Sequence, residues 1–165
     1  MIIIFVFIVL LLIIGIIIFV NYTKLKDIRM CIDTCADNIN NTLNHKLEMV
    51  NSLLEKLDSD TLNKKFTYDE DSSLYDREDS LFIIGFEINK YAKGHKKKKF
   101  LDDIRELNIL EESLDGLKDF YNTNLLSYNE IFLKKYFNFI FKLLGFKEYK
   151  SFKMRKLEEY EIFKN

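Results

Sequence analysis

The chain has 165 residues, of which 48% are hydrophobic and 31% charged, and its formal net charge is −1. Its composition of no Pro, five Gly and two Cys excludes collagen-like and turn-dense all-β folds, a disulfide framework and a zinc site built from Cys alone. Because the charges balance, no global field attracts nucleic acid, and we expect no nucleic-acid partner.

The first twenty residues are all apolar except Gly15. From Ile2 to Val20 no residue is charged, and as a helix this run would span about 28 Å, close to the hydrocarbon core of a bilayer. No basic residue precedes the run and no A-x-A-like site follows it, which disfavours a cleaved signal peptide. We predict an uncleaved transmembrane anchor over residues 1–20, with the lipid bilayer as its partner. The alternatives are a cleaved signal and a buried core helix.

The charges that flank this run predict its orientation. No charged side chain precedes it, whereas Lys24, Lys26 and Arg29 follow it closely. The positive-inside rule therefore predicts a single-pass protein of the cell membrane with its N-terminus outside. Residues 21–165 would lie in the cytoplasm, which agrees with two Cys that nothing requires to be paired.

Two later segments repeat apolar residues every three or four positions, from Leu25 to Leu57 and from Phe100 to Phe132. This period indicates helices that bury one face. We expect the first helix to continue from the anchor to about Lys56, and the second to run over residues 100–135. The apolar run at 81–86 fits a strand or a helix, and the lack of a partner strand favours a helix over 80–91.

The predicted fold is all-α, an N-terminal transmembrane helix continuing into an elongated antiparallel three- to four-helix bundle over residues 21–138. Inside the bundle, residues 58–79 are interpreted as an acidic loop or a weak helix, and they lack the Gly of an EF-hand loop. Residues 93–99 are interpreted as a basic turn, either solvated or in contact with anionic lipid or with the acidic segment.

Residues 139–165 are rich in aromatic and basic side chains. One interpretation is an amphipathic helix packed on the bundle. The other is a contact with the cytoplasmic leaflet. The basic residues of this possible membrane contact are Lys142, Lys147, Lys150, Lys153, Arg155 and Lys156.

Catalytic and metal-binding patterns are not found in the sequence. His45 and His95 are the only His, and neither has a Glu three residues before it, as a di-iron bundle would need. No phosphate-binding, dinucleotide-binding or serine-hydrolase motif occurs. Cys31 and Cys35 lie four residues apart on one helix face, and further ligands for a metal are few. We therefore expect no enzyme activity, no cofactor and no metal site.

One group of residues resembles a known family. The segment YNTNLLSYN contains two Tyr-Asn pairs, a Glu and a Lys precede it, and an Asn and a Gly-Phe pair follow it. These spacings resemble the LemA family, and residues 46–54 resemble an upstream motif of that family, with Asn51 in place of its usual Pro. The matching positions are Glu111, Lys118, Tyr121, Asn122, Tyr128, Asn129, Asn138, Gly145 and Phe146.

The resemblance covers about residues 21–57 and 100–152, and the middle of the chain departs from the family. It implies a membrane-anchored helical bundle without an established catalytic activity. Tyr121 and Tyr128, two helical turns apart, are expected to face one partner helix as structural residues, with a ligand or partner site as the alternative. We therefore expect a non-catalytic membrane scaffold that can self-associate; the alternative is a membrane-anchored adaptor or sensor that binds a protein or peptide.

Overall fold

The apolar N-terminal segment continues without interruption into one long helix. The computed structural model describes residues 2–56, 66–69, 71–94, 98–134 and 137–154. Within these ranges the chain forms helices and no strand, so the predicted all-α class is confirmed. The helices are α1 (Ile2–Lys56), α2 (Leu74–Gly94), α3 (Lys98–Phe132) and α4 (Asn138–Leu143). At 1.5 Å per residue, α1 alone is about 80 Å long.

The chain divides into two compact units. The anchor unit comprises Met1–Cys35 and Phe120–Ser151, and the bundle unit comprises Ala36–Asp119 and Phe152–Asn165. Because α1 and α3 each contribute to both units, the boundary falls within helices rather than at a linker.

In the bundle unit, α3 runs antiparallel to the other two helices. Its contacts with α1 join Lys46 to Glu111 and Lys56 to Asp103, so higher numbers on one helix meet lower numbers on the other. On α2, Glu78 likewise pairs with Lys118 of α3 and Asn89 bonds Asn108. Both α1 and α2 are antiparallel to α3, and they are therefore parallel to each other.

The segment predicted as an acidic loop ends earlier than expected, because α2 begins at Leu74. The loop interpretation is wrong for residues 74–79, where the helix alternative applies; residues 58–65 and 70 lie outside the described residues. Ser73 Oγ accepts a hydrogen bond from the amide of Asp76 and donates one to its carboxylate. This reciprocal cap, with an acid in the first turn, favours a helix start here. The apolar run at 81–86 lies in α2, which confirms helix over strand.

The C-terminal segment is a short helix followed by an irregular chain. Gly145 has a φ of +82°, and the amide of Phe146 donates to the carbonyl of Phe141 while that of Gly145 donates to Lys142. This is a Schellman motif, in which the left-handed residue ends the helix. The packed-helix interpretation is wrong for residues 144–154, which are not helical, although Phe146 and Phe152 are buried. Gly145 is thus the residue that ends α4.

One side chain attaches the connection before α2 to α1. Asn51 Nδ2 donates to the carbonyl oxygen of Phe66 at 3.0 Å, and the Phe66 amide donates to Asn51 Oδ1 at 2.7 Å. Both groups of the Asn side chain thus bond the backbone of one residue.

We expect Asn51→Ala to lower the free energy of unfolding by roughly 1–2 kcal/mol, since two part-buried hydrogen bonds are lost. The measurement is thermal unfolding of the full chain in detergent, followed by circular dichroism. Asn41→Ala, at an exposed position of α1, is the matched control. Equal effects of the two substitutions would contradict the role of Asn51.

Candidate functional site

The buried face of α3 carries charged residues at regular core positions. Glu111 and Lys118, seven residues apart, are both buried. They belong to a stripe with alternating steps of three and four residues, which is the spacing of a helix packed in a bundle. The buried members are Ile104, Leu107, Glu111, Leu114, Lys118, Tyr121, Leu125, Tyr128 and Phe132.

Glu111 forms an ion pair with α1. Lys46 Nζ donates to Glu111 Oε2 at 2.6 Å, and both side chains are buried. The Cε of Lys46 also lies 3.8 Å from the position that a Cβ on Gly85 would occupy, so the aliphatic part of Lys46 packs against α2. Among the described residues, Glu111 Oε1 has no hydrogen-bond partner. Within the described part of the chain, the buried charge of Glu111 therefore depends on Lys46 for its stabilisation.

Lys118 forms the second buried ion pair. Its Nζ lies 2.9 Å from Glu78 Oε1 on α2 and 2.7 Å from Asp115 Oδ1 on its own helix. Two carboxylates thus face one ammonium group. Glu111 and Lys118 are both positions of the LemA-like pattern, and they contact different helices. Glu111 bonds to α1 and Lys118 bonds to α2.

Sequence reasoning missed the partners of these two residues. Lys46 lies three residues after Leu43 and four before Val50, and Glu78 lies three before Leu81. Both positions fit the period of the buried face. The signal was available in the spacing, but the apolar pattern selected Leu47, which the structure places at a half-buried position.

In the anchor unit, polar side chains hold the C-terminal segment through its backbone. Tyr128 OH donates to the carbonyl oxygen of Lys147 at 2.8 Å. Arg29 Nη1 donates to the carbonyl oxygen of Gly145 at 3.3 Å, and its guanidinium lies 5.8 Å from the ring centre of Phe146. These bonds place Gly145 and Phe146 beside α1.

Tyr149 adds a side-chain bond to this segment. Its hydroxyl donates to Asp33 Oδ1 at 3.0 Å, and its ring meets that of Tyr128 edge-on. Burial raises the pKa of Tyr149 to about 12, and the Asp33 carboxylate, through its hydrogen bond and its charge, acts in the same direction. Burial also raises the pKa of Tyr128.

The other Tyr and Asn residues of the LemA-like pattern are buried or half-buried. Tyr121 is buried, and Asn122 and Asn129 lie at half-buried positions beside the stripe. Asn138 is the first residue of α4, and its amide donates to the carbonyl of Lys134. Asn122 and Asn129 thus lie at the edge of the buried face.

The basic residues of the possible membrane contact are distributed along the surface. Lys142, Lys147, Lys150 and Lys153 are exposed. Lys142 pairs with Glu148 and Lys153 with Asp79, while Lys147 lies over the Tyr149 ring. Exposed pairs of this kind contribute little to stability. Arg155 and Lys156 lie outside the described residues.

The described residues contain no group of three or more His, Cys, Asp or Glu side chains that could hold a metal ion. Cys31 and Cys35 are reduced thiols, Cys31 half-buried and Cys35 buried. Burial raises the pKa of Cys35, against the opposing effect of a hydrogen bond to the Tyr121 backbone. A raised thiol pKa makes the reactive thiolate scarce at neutral pH.

We expect Lys46→Met to lower the free energy of unfolding by about 3–5 kcal/mol, because it leaves the Glu111 carboxylate buried without its cation. The double variant Lys46→Met with Glu111→Leu should recover most of this loss, since no charge then remains. Urea unfolding of the full chain in detergent measures both effects. Glu112→Gln, at an exposed neighbouring position, is the control, and a double variant as unstable as the single one would refute the pairing.

Tyr149 should make the protein sensitive to alkali. The unfolded chain releases this proton near the ordinary pKa of 10.0, whereas the folded chain holds it to about 12. Its contribution is therefore present below pH 10 and lost as the pH rises towards 12.

We expect Tyr149→Phe to reduce the fall in thermal stability between about pH 8 and about pH 11, because the variant has no phenol to ionise. Tyr91→Phe in the bundle unit controls for general alkaline effects such as lysine deprotonation. If both variants lose as much stability as the parent chain, Tyr149 is not the group responsible.

No protein family, curated protein or solved structure matches the chain in comparisons of its sequence and structure.

Proposed function

We propose that this protein is a non-catalytic single-pass membrane protein of the LemA type, whose helical bundle serves as a scaffold on the cytoplasmic face of the cell membrane. The observation that carries the proposal is the apolar start of α1. Among the described residues, this is the one helix long and apolar enough to cross a membrane, and its apolar window is not buried inside the protein.

The exposure of the anchor supports insertion into lipid. From Ile2 to Val20, every side chain except that of Ile18 is exposed. A continuous apolar surface of this size is costly in water and is typical of a membrane or protein contact.

The positive flank supports the orientation. Lys24 and Lys26 are exposed just after the anchor. Arg29, one turn further, bonds the carbonyl oxygen of Gly145. Basic residues directly after a membrane span favour a cytoplasmic body.

The placement of the family-type residues supports a structural role for them. Glu111, Lys118 and Tyr128 bond to groups of this chain in the interior. A site that captures a soluble ligand would need some of these groups to face solvent. A bundle stiffened by internal polar contacts suits a scaffold.

We expect the full chain, expressed in bacteria, to remain in the membrane pellet after alkaline carbonate washing and to be released by detergent. For orientation, Ser151→Cys or Ile2→Cys is introduced as the single cysteine, with Cys31 and Cys35 replaced by Ala. An impermeant maleimide should label Ile2→Cys in intact cells, and Ser151→Cys only after permeabilisation.

Labelling of Ser151→Cys in intact cells would reverse the proposed topology. Release of the parent chain by carbonate would contradict the anchor itself.

A further inference from the structure

Helix α4 and the residues around it expose large apolar side chains. Phe139 is 75% exposed, Leu143 78% and Leu144 49%. Leu133, at the other end of the same turn, is 54% exposed. In contrast, Phe141 of the same helix is buried. The α4 turn is the name used here for the segment 133–145; its described residues, 133–134 and 137–145, have a buried attachment and an outward apolar surface.

The α4 turn is attached to α1 at the end of the anchor. The ring of Phe146 meets that of Tyr22 edge-on, with ring centres 5.6 Å apart, and Phe141 packs on Phe146 at 5.8 Å. Tyr22 follows Val20, the last residue of the apolar run, by two positions. This places the α4 turn beside the point where α1 would leave the hydrocarbon core.

The direction of α3 agrees with this location. Cys35 on α1 bonds the backbone of Tyr121 on α3, and Arg29 and Tyr22 contact residues 145 and 146. The stretch of α3 from Tyr121 to Phe132 therefore leads towards the anchor. The α4 turn, which follows α3, therefore lies at the end of this unit that is beside the anchor.

The composition of the α4 turn suits a lipid surface. Its sequence, LKKYFNFIFKLLG, contains three Lys and no acidic residue. Lys134 and Lys142 are exposed, although Lys142 also pairs with the exposed Glu148 at 3.2 Å. Apolar and aromatic side chains together with lysines are characteristic of segments that lie in the headgroup region of anionic membranes.

We propose that the α4 turn is a second membrane contact, with Phe139, Leu143 and Leu144 inserted at the boundary between headgroups and acyl chains. This inference rests on the proposed anchor and adds to it. Continuity with the end of the anchor identifies the occupant of this surface as the bilayer. Two contacts would fix the tilt and rotation of α1, which a single helix leaves free.

The test places spin labels on the full chain in nanodiscs of equal parts phosphatidylcholine and phosphatidylglycerol, loaded with one copy each. With Cys31 and Cys35 replaced by Ala, the single-cysteine variants are Phe139→Cys and Leu143→Cys. Leu126→Cys, an exposed apolar position of α3, is the matched control, and Val9→Cys reports on the anchor.

We expect labels at 139 and 143 to collide several-fold less with a water-soluble nickel reagent than the label at 126, and more with oxygen. If they match the label at 126 while the label at 9 is protected, the second contact is wrong and the anchor stands. If the label at 9 is also accessible, the anchor fails, and this inference fails with it. Protection that appears only with two copies per disc would show that another chain covers the turn, which also overturns the proposal.

Discussion

Two charges on one face of α3 determine how the bundle unit is arranged. Glu111 and Lys118 occupy core positions where an apolar residue would leave the neighbouring helices free to slide. Each instead needs an opposite charge at its own level, Lys46 on α1 for the first and Glu78 on α2 for the second. Because a buried charge without its partner is strongly unfavourable, these pairs select one register for each helix.

The same pairs account for the helix directions. Asn89 on α2 bonds Asn108 on α3, and Lys56 on α1 pairs with Asp103. With the two buried pairs, these contacts fix both α1 and α2 as antiparallel to α3. The bonds between Asn51 and Phe66 hold the described start of the segment before α2 against α1.

The sequence predicts the helices well, because their signal is periodic and local. The ends of α1 and α3 lie within about three residues of the predicted ones. The failures have specific causes. At the start of α2, Ser73 and Asp76 form a reciprocal cap. In the sequence this pair is a weak helix signal, because the surrounding segment 58–79 contains eight acidic residues and resembles a loop. The irregular path after Gly145 depends on bonds to distant residues such as Tyr128, which no local pattern contains.

For the candidate site, the sequence indicated Glu111 and Lys118 but not the residues that pair with them. The family resemblance selected Glu111 and Lys118, but a search for apolar stripes could not recognise a Lys or a Glu as a core residue. The partners Lys46 and Glu78 fit the same period and carry the opposite charge. A search for opposite charges at core positions of different helices would therefore have found them. The exposed surface of the α4 turn could not be predicted, since it depends on which aromatic residues the fold buries. Phe141 is buried and Phe139 is not, two residues apart.

The way the C-terminal segment is held has a consequence for how this chain tolerates change. Tyr128 and Arg29 bond to the carbonyl oxygens of Lys147 and Gly145, which every amino acid supplies. The path of the segment is therefore largely independent of the side chain at position 147. Substitution there can alter the surface charge while the backbone bonds persist. In this segment the surface charge can therefore change without a change in the path of the backbone.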